Sequence, residues 1–79
     1  MKAKVYVTLK KGVLDPQGKA VANALETMGY KEVKGLRIGK FIEIELDGAS
    51  QKDGEKRVKE MCEKLLANTV VEDYRIEIV

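Results

Sequence analysis

The chain has 79 residues, no histidine, and a formal net charge of +2 from 15 basic and 13 acidic side chains. So weak a charge does not indicate a polyanionic partner such as nucleic acid, and without histidine the chain cannot form a Ser-His or Cys-His nucleophile pair. Cys62 is the one cysteine, which excludes an internal disulfide and the usual zinc spacings. No signal peptide or membrane-spanning run is recognised, so we expect a cytoplasmic protein with no membrane contact.

This length predicts one small domain over residues 1–79, which buries a modest core and gains from association with copies of itself. The first element is an alternating segment, Lys2–Lys10, which predicts a half-buried strand. A helix follows, with Asp15 as a typical N-cap and Pro16 at its first position. Its apolar stripe consists of Ala20, Val21, Ala24, Leu25 and Met28, and Gly29 is the expected left-handed C-cap.

Gly18 lies one turn inside this helix, where glycine costs roughly 0.5–1 kcal/mol relative to alanine. Two interpretations are open: the helix packs closely against the chain's own sheet, or another molecule approaches its backbone. On the second interpretation, Asp15, Gln17 and Gly18 are candidates for a partner interface. Arg37 and Lys40 are the second choice.

Residues 32–46 predict either of two structures. A three-residue connection at Gly39–Phe41 makes a hairpin in which Ile38 lies opposite Ile42. Alternatively, one long strand bends or bulges at Gly39. Such a strand would reach about 50 Å and would need a second subunit to cover it.

The second half of the chain contains the clearest helix. Ser50 with Asp53 predicts its N-terminus. Its apolar stripe is Val58, Met61, Cys62, Leu65 and Leu66, so we expect the Cys62 thiol to be core. Asn68 is the expected helix stop, and Val70–Val79 is the last strand. The predicted fold is an α+β two-layer sandwich in which an antiparallel sheet carries two helices on one face.

No set of residues predicts a catalytic, cofactor-binding or metal site. The carboxylates of Glu43, Glu45 and Asp47 alternate along a strand, as solvated side chains do. The glycines match no phosphate-binding spacing. The residues by themselves therefore favour a binding or structural module.

Four segments of the sequence together resemble the PurS family, the small subunits of phosphoribosylformylglycinamidine synthase in purine biosynthesis. They are LKKGVLDPQGKAVANAL (9–25), RIGKFIEI (37–44), MCEKLLAN (61–68) and EDYRIEI (72–78). The resemblance covers nearly the whole chain. One departure is Thr69, where the family usually has proline, and it leaves that turn less rigid.

The resemblance implies an adaptor without catalytic residues of its own. It implies a large synthetase subunit that uses ATP and a glutaminase subunit that releases ammonia, with the small subunit joining them and aiding ammonia transfer. Magnesium, ATP and glutamine would belong to the complex and not to this chain. The resemblance also implies a homodimer or higher homo-oligomer with sheets extended between subunits, which favours the long bent strand.

Two other classes of function are compatible with an α+β domain. A ligand-sensing regulatory domain would be stabilised by a small molecule without any protein partner. A ferredoxin-like RNA-binding module would need aromatic side chains on its central strands, and the KFIEIEL segment offers one phenylalanine.

Overall fold

Three strands and two helices make up the fold in the computed structural model, which describes residues 1–48 and 50–79. The elements are β1 (Lys2–Leu9), α1 (Pro16–Thr27), β2 (Gly39–Glu45), α2 (Gln51–Met61) and β3 (Glu72–Ile78). A π-helical turn, Cys62–Leu66, continues α2. The strands form an antiparallel sheet in the order β2-β1-β3. The predicted α+β class is therefore confirmed. Within the described ranges, no helix has the length and apolar character needed to cross a membrane.

The alternation of β1 determines the two faces of the sheet. Val5 lies opposite Ile42 of β2 and Ile76 of β3, so apolar residues of all three strands share one face. α2 packs on this face over β1 and β3. The buried core consists of Ala3, Val5, Val7, Val58, Cys62 and Ala67.

The other face of the sheet is polar. Lys4 lies between Glu43 and Glu77 in the register, and the ammonium of Lys2 is 3.0 Å from a carboxylate oxygen of Glu43. This contact raises the pKa of Lys2. The lysines that alternate along β1 are therefore matched by carboxylates of the neighbouring strands, as the solvated face of a sheet requires.

The N-terminus of α2 is formed by a capping residue and a close packing contact. The Ser50 hydroxyl accepts a hydrogen bond from the Asp53 amide at 3.2 Å. Gly54, one turn into the helix, is buried because the Met1 side chain lies where its Cβ would be, with Leu46 beside it. Glycine is used here for a close approach by residues distant in sequence, which the local pattern around Gly54 does not reveal.

α1 begins and ends as its sequence predicts. Pro16 occupies the first helical position, and Gly29 has a φ of 104°. The amide of Gly29 bonds to the Glu26 carbonyl and the amide of Tyr30 to the Leu25 carbonyl, both at 3.0 Å. This pair of bonds is a Schellman motif, which needs a left-handed residue at the position of Gly29.

The position of α1 differs from the expected layer of two helices. α2 packs on β1 and β3, whereas in the described part of the chain α1 makes no comparable contact with any strand or with α2. The molecule measures 49 × 24 × 14 Å, and its radius of gyration is 15.9 Å. A compact domain of this length would have a radius of about 12 Å. α1 therefore extends the molecule instead of thickening it.

β2 corresponds to neither of the two structures expected for residues 32–46. It begins at Gly39, opposite Thr8, and runs to Glu45 in continuous register with β1, without a bulge or a hairpin. In the described residues the glycines with positive φ are Gly12, Gly29 and Gly48. The expectation that Gly39 is a hinge or bulge is therefore wrong: this glycine starts the strand.

Asn68 organises the turn into β3 and does not itself end the helix. The π-helical turn ends at Leu66, and Ala67 is already extended. The Asn68 side-chain oxygen accepts a bond from the Val70 amide at 3.2 Å, and its carbonyl accepts one from the Glu72 amide at 2.7 Å. These bonds hold the turn that contains Thr69.

Candidate partner interface

The N-terminus of α1 is joined to the start of β2 by one carboxylate. Oδ1 of Asp15 accepts a hydrogen bond from the Gly18 amide at 2.9 Å, and Oδ2 accepts one from the Ile38 amide at 3.0 Å. The two amides, Gly18 first and Ile38 second, lower the pKa of Asp15, and the nearby Arg37 charge adds to the effect. Asp15 is thus both a helix cap and a link to a segment far along the chain.

Gly18 is buried beneath the segment that leads into β2. A Cβ on this residue would lie 2.9 Å from the Leu36 carbonyl oxygen and 2.5 Å from Oδ2 of Asp15. Of the two interpretations of Gly18, the structure favours close packing within the chain, because the chain's own backbone approaches this glycine. The close contact is with the loop before β2 and not with the sheet.

The remaining candidates divide between two places. Arg37 lies next to this contact, and its guanidinium donates a hydrogen bond to the Leu9 carbonyl at the end of β1. Lys40 is elsewhere: its ammonium donates to the Leu66 carbonyl at 3.3 Å, at the C-terminal end of the π-helical turn. Gln17 is exposed on the first turn of α1. The structure therefore brings together Asp15, Gly18 and Arg37.

We define the junction as Asp15, Gly18 and residues 36–38, and the arm as residues 16–38, comprising α1 and the segment that returns to β2. The arm carries large apolar side chains into solvent. Val21 is 40% exposed and Met28 is 69% exposed, while Leu14, just before the arm, is 73% exposed. Sequence analysis assigned the α1 stripe to the core of this chain, because periodicity shows that a stripe is apolar but not what it contacts.

A second apolar surface that is only partly covered lies on the sheet. Ile42 and Ile44 of β2 point to the same face as the core yet are only partly buried. Their strand is the one that α2 does not cover, because α2 packs on β1 and β3. Within the described residues, therefore, no helix packs closely above β2, and part of the apolar stripe of α1 is also exposed.

Comparison with known proteins gives the family. A model of the PurS family, described as phosphoribosylformylglycinamidine (FGAM) synthase, matches residues 2–79. The PurS subunit of Bacillus subtilis phosphoribosylformylglycinamidine synthase is 60% identical over 77 residues, covering 98% of this chain and 90% of that protein.

Solved structures agree with this sequence match. The Methanocaldococcus jannaschii PurS structure matches with a TM-score of 0.86 and 42% identity, covering 96% of this chain and 92% of its own. A chain in the structure of PurLQS from Thermotoga maritima matches with a TM-score of 0.90 and 33% identity, covering 99% and 95%. Sequence and fold thus agree over nearly the full length, and the chain belongs to the PurS family of phosphoribosylformylglycinamidine synthase subunits in purine biosynthesis.

Proposed function

We propose that this chain is a non-catalytic adaptor that joins a large ATP-dependent synthetase subunit to a glutaminase subunit and aids the transfer of ammonia between them. The Thermotoga maritima relative belongs to an assembly named PurLQS, and that relative shares 33% identity with this chain. A three-subunit complex is therefore the natural setting for the proposal. The observation that supports the adaptor role is this near-full-length match to a chain of a multi-subunit assembly.

The side chains of this chain favour a binding role over a catalytic one. The sequence has no histidine. Its one thiol, Cys62, lies fully buried at the start of the π-helical turn, and desolvation raises the pKa of that thiol, with the Glu63 carboxylate adding to the effect. A buried thiol with a raised pKa is a poor nucleophile.

We place magnesium, ATP and glutamine on the other subunits. The described residues contain no group of three or more His, Cys, Asp or Glu side chains able to hold a metal ion. The exposed carboxylates of β2, Glu43 and Glu45, instead lie opposite Lys4 and Lys2 of β1 in the sheet. Their charges are therefore balanced within the chain.

We also infer that two copies of the chain associate through the arm. The open position above β2 exposes part of Ile42 and Ile44, and the α1 stripe exposes Val21 and Met28. Each surface supplies what the other lacks, because a helix stripe and a sheet face are stable when packed together. If the arms are exchanged about a two-fold axis, both surfaces of both copies are covered, which is a closed isologous dimer.

Reconstitution with the two partner subunits tests the adaptor role. Glutamine-dependent synthesis of formylglycinamidine ribonucleotide should require this chain and should fall at least tenfold without it. Synthesis from free ammonia should be largely retained, because the synthetase then needs no glutaminase beside it. Steady-state rates with the two nitrogen sources, measured with and without the chain, give the comparison.

Two outcomes contradict the adaptor role: both activities persist without the chain, or both are lost equally. A screen of small molecules against the isolated chain serves as the control for the regulatory alternative. A ligand that stabilises the chain without any partner would favour a sensing domain instead.

A further inference from the structure

The arm is attached to the rest of the molecule at a small number of points. α1 packs closely on no strand in the described part of the chain. The polar contacts at its base are the bond from the Ile38 amide to Asp15 and the bond from Arg37 to the Leu9 carbonyl. The junction therefore determines the direction in which the arm leaves the sheet.

The Asp15 carboxylate does more than capping requires. On α2 the equivalent N-cap is Ser50, whose single hydroxyl oxygen accepts one bond from the Asp53 amide at 3.2 Å. Asp15 uses one oxygen for the same purpose, toward Gly18, and its second oxygen for Ile38. Serine and asparagine cap helices about as well as aspartate. Serine has one side-chain oxygen, and asparagine has one oxygen and an amide group that cannot accept a hydrogen bond, so neither has a second oxygen to face the Ile38 amide.

The close contact at Gly18 links the direction of α1 to the position of the segment that returns to β2. The Leu36 carbonyl oxygen lies 2.9 Å from the position of a Cβ on Gly18, so α1 and the returning segment are in direct backbone contact there. α1 has 12 residues and is therefore about 18 Å long. A rotation of about 10° at its base would move its far end by about 3 Å, which is enough to misplace the side chains of an interface.

We infer that Asp15 is a positioning residue for assembly: its second carboxylate oxygen, bonded to the Ile38 amide, fixes the angle of the arm and so places the α1 stripe for its partner copy. This inference rests on the proposed association through the arm. It differs from the interface assignment made from the sequence, because Asp15 acts here through α1 and does not itself contact the partner.

Asp15→Ser separates capping from bridging, because serine keeps the cap and loses the second bond. Three results are expected: helix content by circular dichroism is unchanged, hydrogen exchange of the Ile38 amide is at least tenfold faster, and the dimer dissociation constant by sedimentation is at least tenfold higher. Asp15→Asn should behave similarly. Ser50→Ala is the matched control, since it removes a cap with no bridge, and it should leave the dissociation constant unchanged.

A distance measurement keeps this test independent of association. Spin labels on Asn23→Cys in α1 and Glu77→Cys in β3, both exposed positions, report the angle of the arm in dilute, monomeric protein. The buried Cys62 stays unlabelled. The distance distribution should at least double in width when Asp15→Ser is added. An unchanged width would overturn the positioning role even if the chain dimerises, whereas a doubled width in a chain that never dimerises would contradict only the proposed association.

Discussion

At the scale of single residues, position 39 requires glycine because the neighbouring strand lies close to it, and not because of its own backbone angle. A Cβ at this position would collide with the Val7 carbonyl and would come within 2.8 Å of the Thr8 side chain. Gly39 is the first residue of β2 and pairs with Thr8. A side chain here would therefore push the start of β2 away from β1 and weaken the pairing of the two strands.

Gly39→Val should lower the free energy of unfolding by about 1–3 kcal/mol, because it overpacks a close contact between strands. Gly35→Ala is the matched control, since nothing lies within 4 Å of its Cβ position. Denaturant titration of both variants measures the difference. Equal unfolding midpoints for Gly39→Val and the parent chain would contradict the contact.

Tyr74 gives a second prediction at this scale. Its hydroxyl donates to a carboxylate oxygen of Glu63 at 2.6 Å, and this bond, followed by desolvation, raises the pKa of Tyr74 to about 12. Because the folded pKa lies above the ordinary value of 10.0, the bond stabilises the fold fully below pH 10 and is lost as the pH rises toward 12.

Ultraviolet titration of tyrosinate should therefore show one tyrosine ionising near pH 12, and this step should be absent in Tyr74→Phe. Glu63→Gln should lower the pKa of Tyr74 toward its ordinary value, because the amide keeps an acceptor but carries no charge. If Tyr74 ionises with its ordinary pKa in the parent chain, the hydrogen bond to Glu63 does not form in solution.

At the scale of elements, the two helices differ in what covers their apolar stripes. Of the α2 stripe, Val58 and Cys62 are fully buried in the core, whereas Leu65, on the π-helical turn, is 83% exposed. Val21 of α1 is 40% exposed. A charge on the α1 stripe should therefore leave the fold of the single chain intact and prevent the packing of a second copy.

Val21→Glu should convert the homo-oligomer to single chains with little change in helix content, because a buried unpaired carboxylate is costly at an apolar interface. Asn23→Glu adds the same charge to another face of α1 and is the control. Sedimentation velocity measures the mass of both variants. Retention of the oligomer by Val21→Glu, or its loss in both variants, would show that the stripe is not the contact surface.

At the scale of the whole molecule, the extended shape predicts that folding and association are linked. The radius of gyration of 15.9 Å reflects an arm on which Val21 and Met28 remain exposed in the single chain. In the dimer that we propose, the partner copy would complete the small core of the sheet and α2. Stability should depend on protein concentration, since a partner that binds only the folded chain stabilises it by mass action.

Raising the protein concentration a hundredfold through the dissociation range should raise the melting temperature by about 5 °C. Calorimetry at a series of concentrations measures this shift, with Val21→Glu as the variant that should show none. A melting temperature independent of concentration, together with a mass of one chain at micromolar concentration, would contradict self-association.

The sequence by itself determined the features that depend on neighbours along the chain. Asp15, Pro16 and Gly29 mark the ends of α1 through bonds within one turn, and the alternation of β1 marks the buried face of the sheet. The α+β class and the PurS family followed from such local patterns. Of the candidate interface residues, Asp15 and Gly18 were expected on one surface and Arg37 on another, and only the fold brings the three together.

Only the tertiary structure decided where α1 lies, why Gly18 and Gly39 are glycines, and where β2 begins. Each depends on residues that are distant in sequence. The Leu36 carbonyl lies close to Gly18, the Val7 carbonyl lies close to Gly39, and the Ile38 amide donates a hydrogen bond to the second carboxylate oxygen of Asp15. An amphipathic helix has the same periodicity whether its stripe faces its own sheet or another copy. The path of the whole chain determines which surface the α1 stripe contacts, because that path holds α1 away from its own sheet.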